Sequence, residues 1–226
     1  MKYFKQELPE GNIKCARIIK RTSGWYILLT IDATHTFKVE NSNLKIGIDT
    51  GFKSLATLSD GTKIENQRNY LKSQDRLAQA QRGKNKKLVS RLHERIKNQR
   101  KDYNHKVSRK IVEKYAEIYC TNDNLKGQSK KFGKSVGDAG ISQLRTFISY
   151  KSENHGRKFK LVDSRKTTMT CNHCWSRKGP RGVVGLSVRF WECSNCGVKH
   201  DRDVNSARVV LKTGSGYDLV SNGGEI

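Results

Sequence analysis

Two cysteine pairs, Cys171-x-x-Cys174 and Cys193-x-x-Cys196, constrain the fold of this chain more than any other feature of its sequence. Two residues between cysteines let a tight turn aim both sulfurs at one point. Eighteen residues, Trp175 to Glu192, separate the pairs, which is within the spacing of a four-cysteine zinc site. Four thiolates at about 2.3 Å complete a tetrahedron around Zn²⁺ and leave no position for water, so the spacing predicts a structural zinc rather than a catalytic one. Binding the metal would then supply folding free energy to a segment with little core of its own. Two matched pairs argue against redox-active or unliganded cysteines. His173 and His200 are expected as loop residues rather than ligands, because four sulfurs already saturate the ion. Cys15 and Cys120 fall in strand-like runs and are expected as small buried apolar residues.

Charge decides the class of partner. Lys and Arg number 45 against 21 Asp and Glu, a formal net charge of +24. Such an excess repels itself unless a polyanion neutralises it. Nucleic acid supplies one phosphate per nucleotide, and counterion release from those phosphates drives binding. The sequence contains no run of 18 apolar residues, no signal-peptide pattern, no basic amphipathic helix with an aromatic face and no lipidation motif. A soluble, intracellular protein is therefore expected, with no membrane partner and no small-molecule substrate.

Along the chain, residues 12–21 and 24–32 read as two strands separated by Thr22-Ser23, a hairpin of the kind found in larger barrels. LKIGIDTG (44–51) is an apolar strand ending in an acid and a glycine, and 53–66 is a hairpin turning at Asp60-Gly61. From Tyr70 to Glu117 the apolar residues recur at helical spacing: Leu88, Leu92 and Ile96, then Val107, Ile111, Val112 and Tyr115. Between them lie Arg82, Lys84, Lys86, Lys87, Arg91, Arg95, Arg100 and Lys101, with few acids to pair them. They predict a phosphate-facing surface, joined by Lys126 and by Arg177, Lys178 and Arg181 among the cysteines. Trp175 and Trp191 suit base stacking, although Trp191 suits core packing equally well. A strand at 117–121, a helix over 137–154, a strand at 158–164, a helix at 203–212 and a Gly/Ser-rich disordered tail complete the reading. From residue 44 onward the order of three strands, helices, strand, helix, strand, helix fits an α/β RNase H-like core, a mixed sheet with helices packed against it.

Three segments carry a resemblance to a known family: IGIDTGFKSLATLSDGTKIEN, RLHERIKNQRKDYNHKVSRKIVEKY and TCNHC…CSNCGVKHDRDVNSA. They resemble the TnpB (OrfB) proteins of bacterial insertion sequences, relatives of type V CRISPR effectors, over nearly the whole chain from about residue 12. The resemblance implies four parts: a β-hairpin remnant of an N-terminal barrel (1–43), a RuvC-like core with a basic helical segment (44–170), a zinc ribbon (171–196), and a final helix with a tail (197–226). It also implies a cytoplasmic, nucleoid-associated bacterial protein, guidance to DNA by a transposon-encoded RNA, and a three-carboxylate site holding two Mg²⁺ about 4 Å apart. The first carboxylate corresponds to Asp49 of GIDTG and the last to Asp203 of HDRDVN; Asp201 reads as a helix N-cap.

The middle carboxylate departs from the family pattern. Where that pattern has Glu-Asp ahead of Asn-x-Lys-Gly, this chain has Thr121-Asn122 ahead of Asn124-Leu125-Lys126-Gly127. A threonine hydroxyl is a neutral, weak ligand for Mg²⁺, so phosphodiester cleavage is expected to be lost. Asp123 is the alternative ligand if the strand continues that far, and Glu117 lies too deep in the strand. The helical recognition portion and part of the basic segment near Arg82-Gly83-Lys84 also look short against the family. The expected function is therefore nuclease-inactive, RNA-guided DNA binding. The alternatives are an active minimal RNA-guided endonuclease using Asp49 and Asp203 with two Mg²⁺, and an unguided zinc-ribbon protein or decayed transposase fragment.

Overall fold

A computed structural model describes residues 10–32, 38–125, 127, 133, 137–182 and 184–216. Lys126 and the Gly/Ser-rich tail from 217 lie outside the described residues. The centre of the molecule is a five-stranded sheet in the order β5-β4-β3-β6-β7. Its strands are β3 (Lys45–Thr50), β4 (Ser54–Leu58), β5 (Lys63–Glu65), β6 (Glu117–Asn122) and β7 (Lys158–Asp163). The first three form an antiparallel meander, while β6 and β7 add in parallel beside β3. Parallel pairing needs a long crossover. Here α1 (Asn69–Lys72), α2 (Gln74–Arg82) and α3 (Lys86–Lys114) supply the first one, and α4 (Ile141–Asn154) lies between β6 and β7.

Period-two alternation gives the central strands two different faces. Ile46, Ile48, Ile118 and Cys120 are buried against Val107, Ile111 and Val112 of α3 and Leu144 and Ile148 of α4. The opposite face receives α5 (Arg202–Gly214), whose Val210 packs on Tyr119 and Val162. That helix lies unusually close to the sheet. A Cβ at Gly47 would stand 2.1 Å from the Ala207 carbonyl oxygen and 2.6 Å from the Leu211 nitrogen; one at Gly214 would stand 2.2 Å from the Tyr119 ring. Backbone cannot yield as a flexible side chain can, so Gly47→Ala should push α5 off the sheet. The expected cost is at or above the roughly 1–3 kcal/mol typical of overpacking, read as a lower denaturation midpoint.

The basic stretch forms one continuous 29-residue helix, α3, started by the Asn85 side chain accepting from the Leu88 amide at 3.0 Å. At about 1.5 Å per residue it extends roughly 44 Å. The apolar pattern lapses in its middle because Arg100 and Asn104 take inward positions. Asn104 donates to the Gly140 carbonyl at 3.1 Å, and Arg100 to the Gly137 carbonyl. Residues 137–139 are helical within the expected 137–154, but Gly140 takes a left-handed conformation (φ 65°) that interrupts the helix, and α4 starts at Ile141. Among the described residues no helix is long and apolar enough to cross a membrane.

The hairpin of β1 (Asn12–Arg21) and β2 (Gly24–Asp32) stands apart from the central sheet. Its tip is tied to α3 by Ser23, whose amide and hydroxyl donate to Glu94 at 3.0 and 2.7 Å. Ile18, Trp25 and Ile27 on one face are 72%, 69% and 60% exposed, and Tyr26 and Leu28 on the other are 40% and 39%, so both faces meet solvent. Cys15, expected to be buried, is exposed for the same reason, whereas Cys120 is fully buried in β6.

Candidate functional site

The cysteines converge as their spacing predicts. All four sulfurs lie within 4.8 Å of one another. The Cys171–Cys196 and Cys174–Cys193 separations are 3.8 and 3.6 Å. A tetrahedron with metal–sulfur bonds of about 2.3 Å has edges of about 3.8 Å, so the set can hold one ion such as zinc. Both knuckles are built alike. Trp175 N donates to Cys171 O at 2.9 Å, and Gly197 N to Cys193 O at 2.8 Å. The residue after each pair is left-handed: Gly197 at φ 70° and Trp175 at φ 63°. Glycine accepts this at no cost; tryptophan does not. Lys212 of α5 lies 5.7 Å from the Trp175 ring and donates to Asn172 O at 2.6 Å, which fixes the knuckle against that helix.

His200 corrects the sequence reading. It is not a loop residue but the middle of β9 (Lys199–Asp201), paired with Trp191 of β8 (Phe190–Glu192), and it is buried. Its Nε2 lies 3.1 Å from Cys171 Sγ, at the distance of an N–H···S bond to a sulfur of the four-cysteine set. Asn172 Nδ2 stands 3.3 Å from Nδ1 and 2.8 Å from Asn205 Oδ1. An amide donating to Nδ1 leaves the proton on Nε2, where it serves the sulfur. Burial, followed by the charges of Arg208 and His173, lowers the His200 pKa and favours this neutral tautomer. Trp191 accordingly packs on His200, with ring centroids 4.7 Å apart. Such outer partners are worth 10- to 100-fold in metal affinity, so His200→Ala should weaken zinc retention by that factor in chelator competition.

Directly after the second knuckle the chain reaches the carboxylates. Asp201 is the N-cap of α5, as expected, accepting from the Asp203 and Val204 amides at 3.1 Å; its other oxygen holds Lys63 at 2.6 Å. Asp203 sits in the first turn of α5. Asp49 is the last residue but one of β3, and Asp123 follows β6. Asp49, Asp123 and Asp203 line one cavity of about 420 Å³ together with Arg189 and Arg202. The cavity opens at the carboxyl ends of parallel strands, a usual location for sites in α/β sheets. β3 pairs with β6 through Ile48–Cys120, and one further step brings Asp49 level with Thr121. Thr121 is fully buried, bonded to the Thr50 amide (3.2 Å) and to Asp123 Oδ2 (3.0 Å). Glu117, at the far end of β6, is paired with Lys45 at 2.9 Å.

Part of the Asp49 surface opens on the cavity, but protein crowds its carboxyl. Burial, then the charges of Asp123 and Asp203, push its pKa to about 8; Ser206 and Arg202 oppose the rise. The other two acids have cations beside them. Arg145 Nη2 is 2.6 Å from Asp123 Oδ2, in a pair whose side chains are 9% and 15% exposed. Arg202 grips Asp203 Oδ1 through Nε and Nη2 at 3.1 and 3.0 Å, and Arg189 stands 3.6 Å from Oδ2. Sequence reading missed Arg145 and Arg202. The available signal was Arg145 directly beside Leu144 in an otherwise apolar helix stripe, and Arg202 between the two acids of DRD.

Of the basic residues, Arg82, Lys84, Lys86, Lys87, Arg91, Arg95 and Lys101 are exposed around the start of α3, with Lys87, Arg91 and Arg95 at steps of four on one stripe. Arg177, Lys178 and Arg181 are exposed in the cysteine segment. Arg100 is half-buried and spends a donor on Gly137 O, so it belongs to the packing as much as to the surface.

A mixed α/β sheet, four cysteines placed to hold one metal ion, and a cavity lined by three carboxylates characterise the molecule. Residues 29–130 match the IS605 OrfB family, described as a probable transposase, and residues 142–210 match the Cas12f1-like TNB domain. A putative RNA-guided DNA endonuclease of Streptomyces pristinaespiralis is 31% identical over 97% of this chain and 58% of its own length. InsQ of Escherichia coli K12, a putative RNA-guided DNA endonuclease, is 28% identical over 95% of this chain and 60% of its own. Cas12f1 in its cryo-EM complex with sgRNA and target DNA superposes with a TM-score of 0.60 at 16% identity, over 87% of this chain and 55% of that one. The chain belongs to the TnpB (OrfB) family, and it spans less than two thirds of the length of these relatives.

Proposed function

We propose that this protein binds a guide-type RNA and, through it, target DNA, without cutting the DNA. On this reading the five-stranded sheet is a RuvC-like core, the cysteine segment is its zinc ribbon, and the β1–β2 hairpin belongs to the barrel that precedes the core. The RNA and DNA partners are inferred from three supports: the exposed Lys/Arg row on α3, the basic cysteine segment, and relatives described as RNA-guided endonucleases. Phosphate neutralisation by such a row gives affinity that falls steeply with salt.

The observation that carries the loss of cutting is Thr121. It lies where an acid would stand level with Asp49, and the acid that remains nearby, Asp123, is already paired with Arg145. Two divalent ions need uncompensated carboxylates to hold them. One observation favours a second reading, an active minimal endonuclease: Asp123 lines the same cavity as Asp49 and Asp203.

Guidance is tested by sequencing RNA that copurifies with the protein. A discrete small RNA supports the proposal; random cellular RNA at all salt concentrations refutes guidance and leaves an unguided binder.

A further inference from the structure

We infer that Arg145 takes the place of a divalent ion at Asp123, so that the cavity is neutralised from within and takes at most one divalent ion. This rests on reading the cavity as the former two-metal site of the family, and it explains why the residues present do not fit such a site.

Oδ2 of Asp123 is already served from three directions. Arg145 Nη2 stands at 2.6 Å, and the hydroxyls of Thr50 and Thr121 each stand at 3.0 Å. A carboxylate oxygen offers about two lone-pair directions, so this one has none left for a metal. The same guanidinium also donates to Thr50 Oγ1 at 2.9 Å, which locks it at the ends of β3 and β6. Arginine stays protonated at every accessible pH, so it cannot retire in favour of a dication as a lysine or histidine does. At its other end the cavity repeats the arrangement, with Arg202 and Arg189 on the two oxygens of Asp203. Of the three cavity acids, Asp123 and Asp203 each hold an arginine in a salt bridge, while Asp49 is opposed only by Ser206 and by the more distant charge of Arg202. Three acids therefore meet three arginines. Thr121 completes the substitution: where a glutamate would add a negative charge, a hydroxyl donates to Asp123.

The test is a count of Mn²⁺ bound by the zinc-loaded full chain, by electron paramagnetic resonance in Mg²⁺-free buffer, with plasmid cleavage assayed in parallel. The wild type should bind at most one ion. Arg145→Gln should bind one more ion or bind at least tenfold tighter, and Asp123→Asn should leave the wild-type affinity within about twofold. Two ions on the wild-type chain overturn the assignment whether or not either variant folds. A tenfold loss in a folded Asp123→Asn chain overturns it as well. If two ions bind and DNA stays intact, only the role of Arg145 fails; if two ions bind and DNA is cut, the non-cutting reading fails with it.

Discussion

Stripping the metal, or replacing Cys171 or Cys193 with serine, is expected to unfold residues 171–201 and to loosen α5 with them. Both of these sulfurs are buried, at 0% and 1% exposure, where a polar hydroxyl in their place finds no metal and little solvent. Apart from the short β8–β9 ladder the segment has little regular structure, and apparent zinc-binding free energies for such sites are about 10–16 kcal/mol. That is comparable to the total stability of a whole domain, about 5–15 kcal/mol. The damage should extend past the ribbon, because Asn172, Trp175 and His200 are linked to α5 through Asn205 and Lys212. Amide hydrogen exchange should therefore rise across the ribbon and along α5 in the metal-free protein, and zinc, not Mg²⁺, should reverse it.

The second large effect concerns Asp49. Its pKa of about 8 in the folded protein lies above the ordinary value of 3.8, so the folded chain holds a proton that the unfolded chain releases. Stability from this group is fully present below about pH 4 and is lost as pH rises toward 8, because the unfolded state binds fewer protons over that range. The loss is on the order of a few kcal/mol. Asp49→Asn, which is neutral at every pH, should remove the slope and make the variant more stable than the wild type at pH 8 in Mg²⁺-free buffer. Denaturant midpoints of the two proteins between pH 5 and 8 check this. Parallel curves, with no convergence or crossing, contradict it.

Much of this molecule is legible from local chemistry. The Thr22-Ser23 and Asp60-Gly61 turns, the helix at 202–214 and its Asp201 cap all follow from residue types that act within a few positions. The convergence of four sulfurs follows from spacing. Other features depend on partners distant in sequence. The continuity of α3 is hidden because Arg100 and Asn104 face inward and are satisfied by Gly137 and Gly140, more than thirty residues away. His200 is unremarkable until β9 brings it to Cys171. The state of the carboxylates was the least legible of all. Asp49 and Asp203 stand in recognisable motifs, but the ion pairs around them do not: Arg145 reaches Asp123 from α4, and Arg189 and Arg202 reach Asp203 from the cysteine segment and α5.

Gly47 shows the limit from the other side. The sequence places it inside the strand 44–51, and it lies in the middle of β3, but nothing local shows why a glycine is required there. Its role is to admit the backbone of α5 at Ala207 and Leu211. That contact sets Asp203 and Ser206 opposite Asp49, so a packing requirement determines which carboxylates share the cavity.

The central claim is that nucleic-acid binding persists where cutting has been lost. The direct test uses the purified protein with its own copurified RNA, once sequenced, and a DNA duplex matched to that RNA. A gel shift and a cleavage assay are run on the same samples in Mg²⁺ and in Mn²⁺. The expected result is a salt-sensitive, sequence-matched complex with intact DNA in both metals, unchanged by Asp49→Asn. Cleavage of the matched duplex that disappears with Asp49→Asn would contradict the claim.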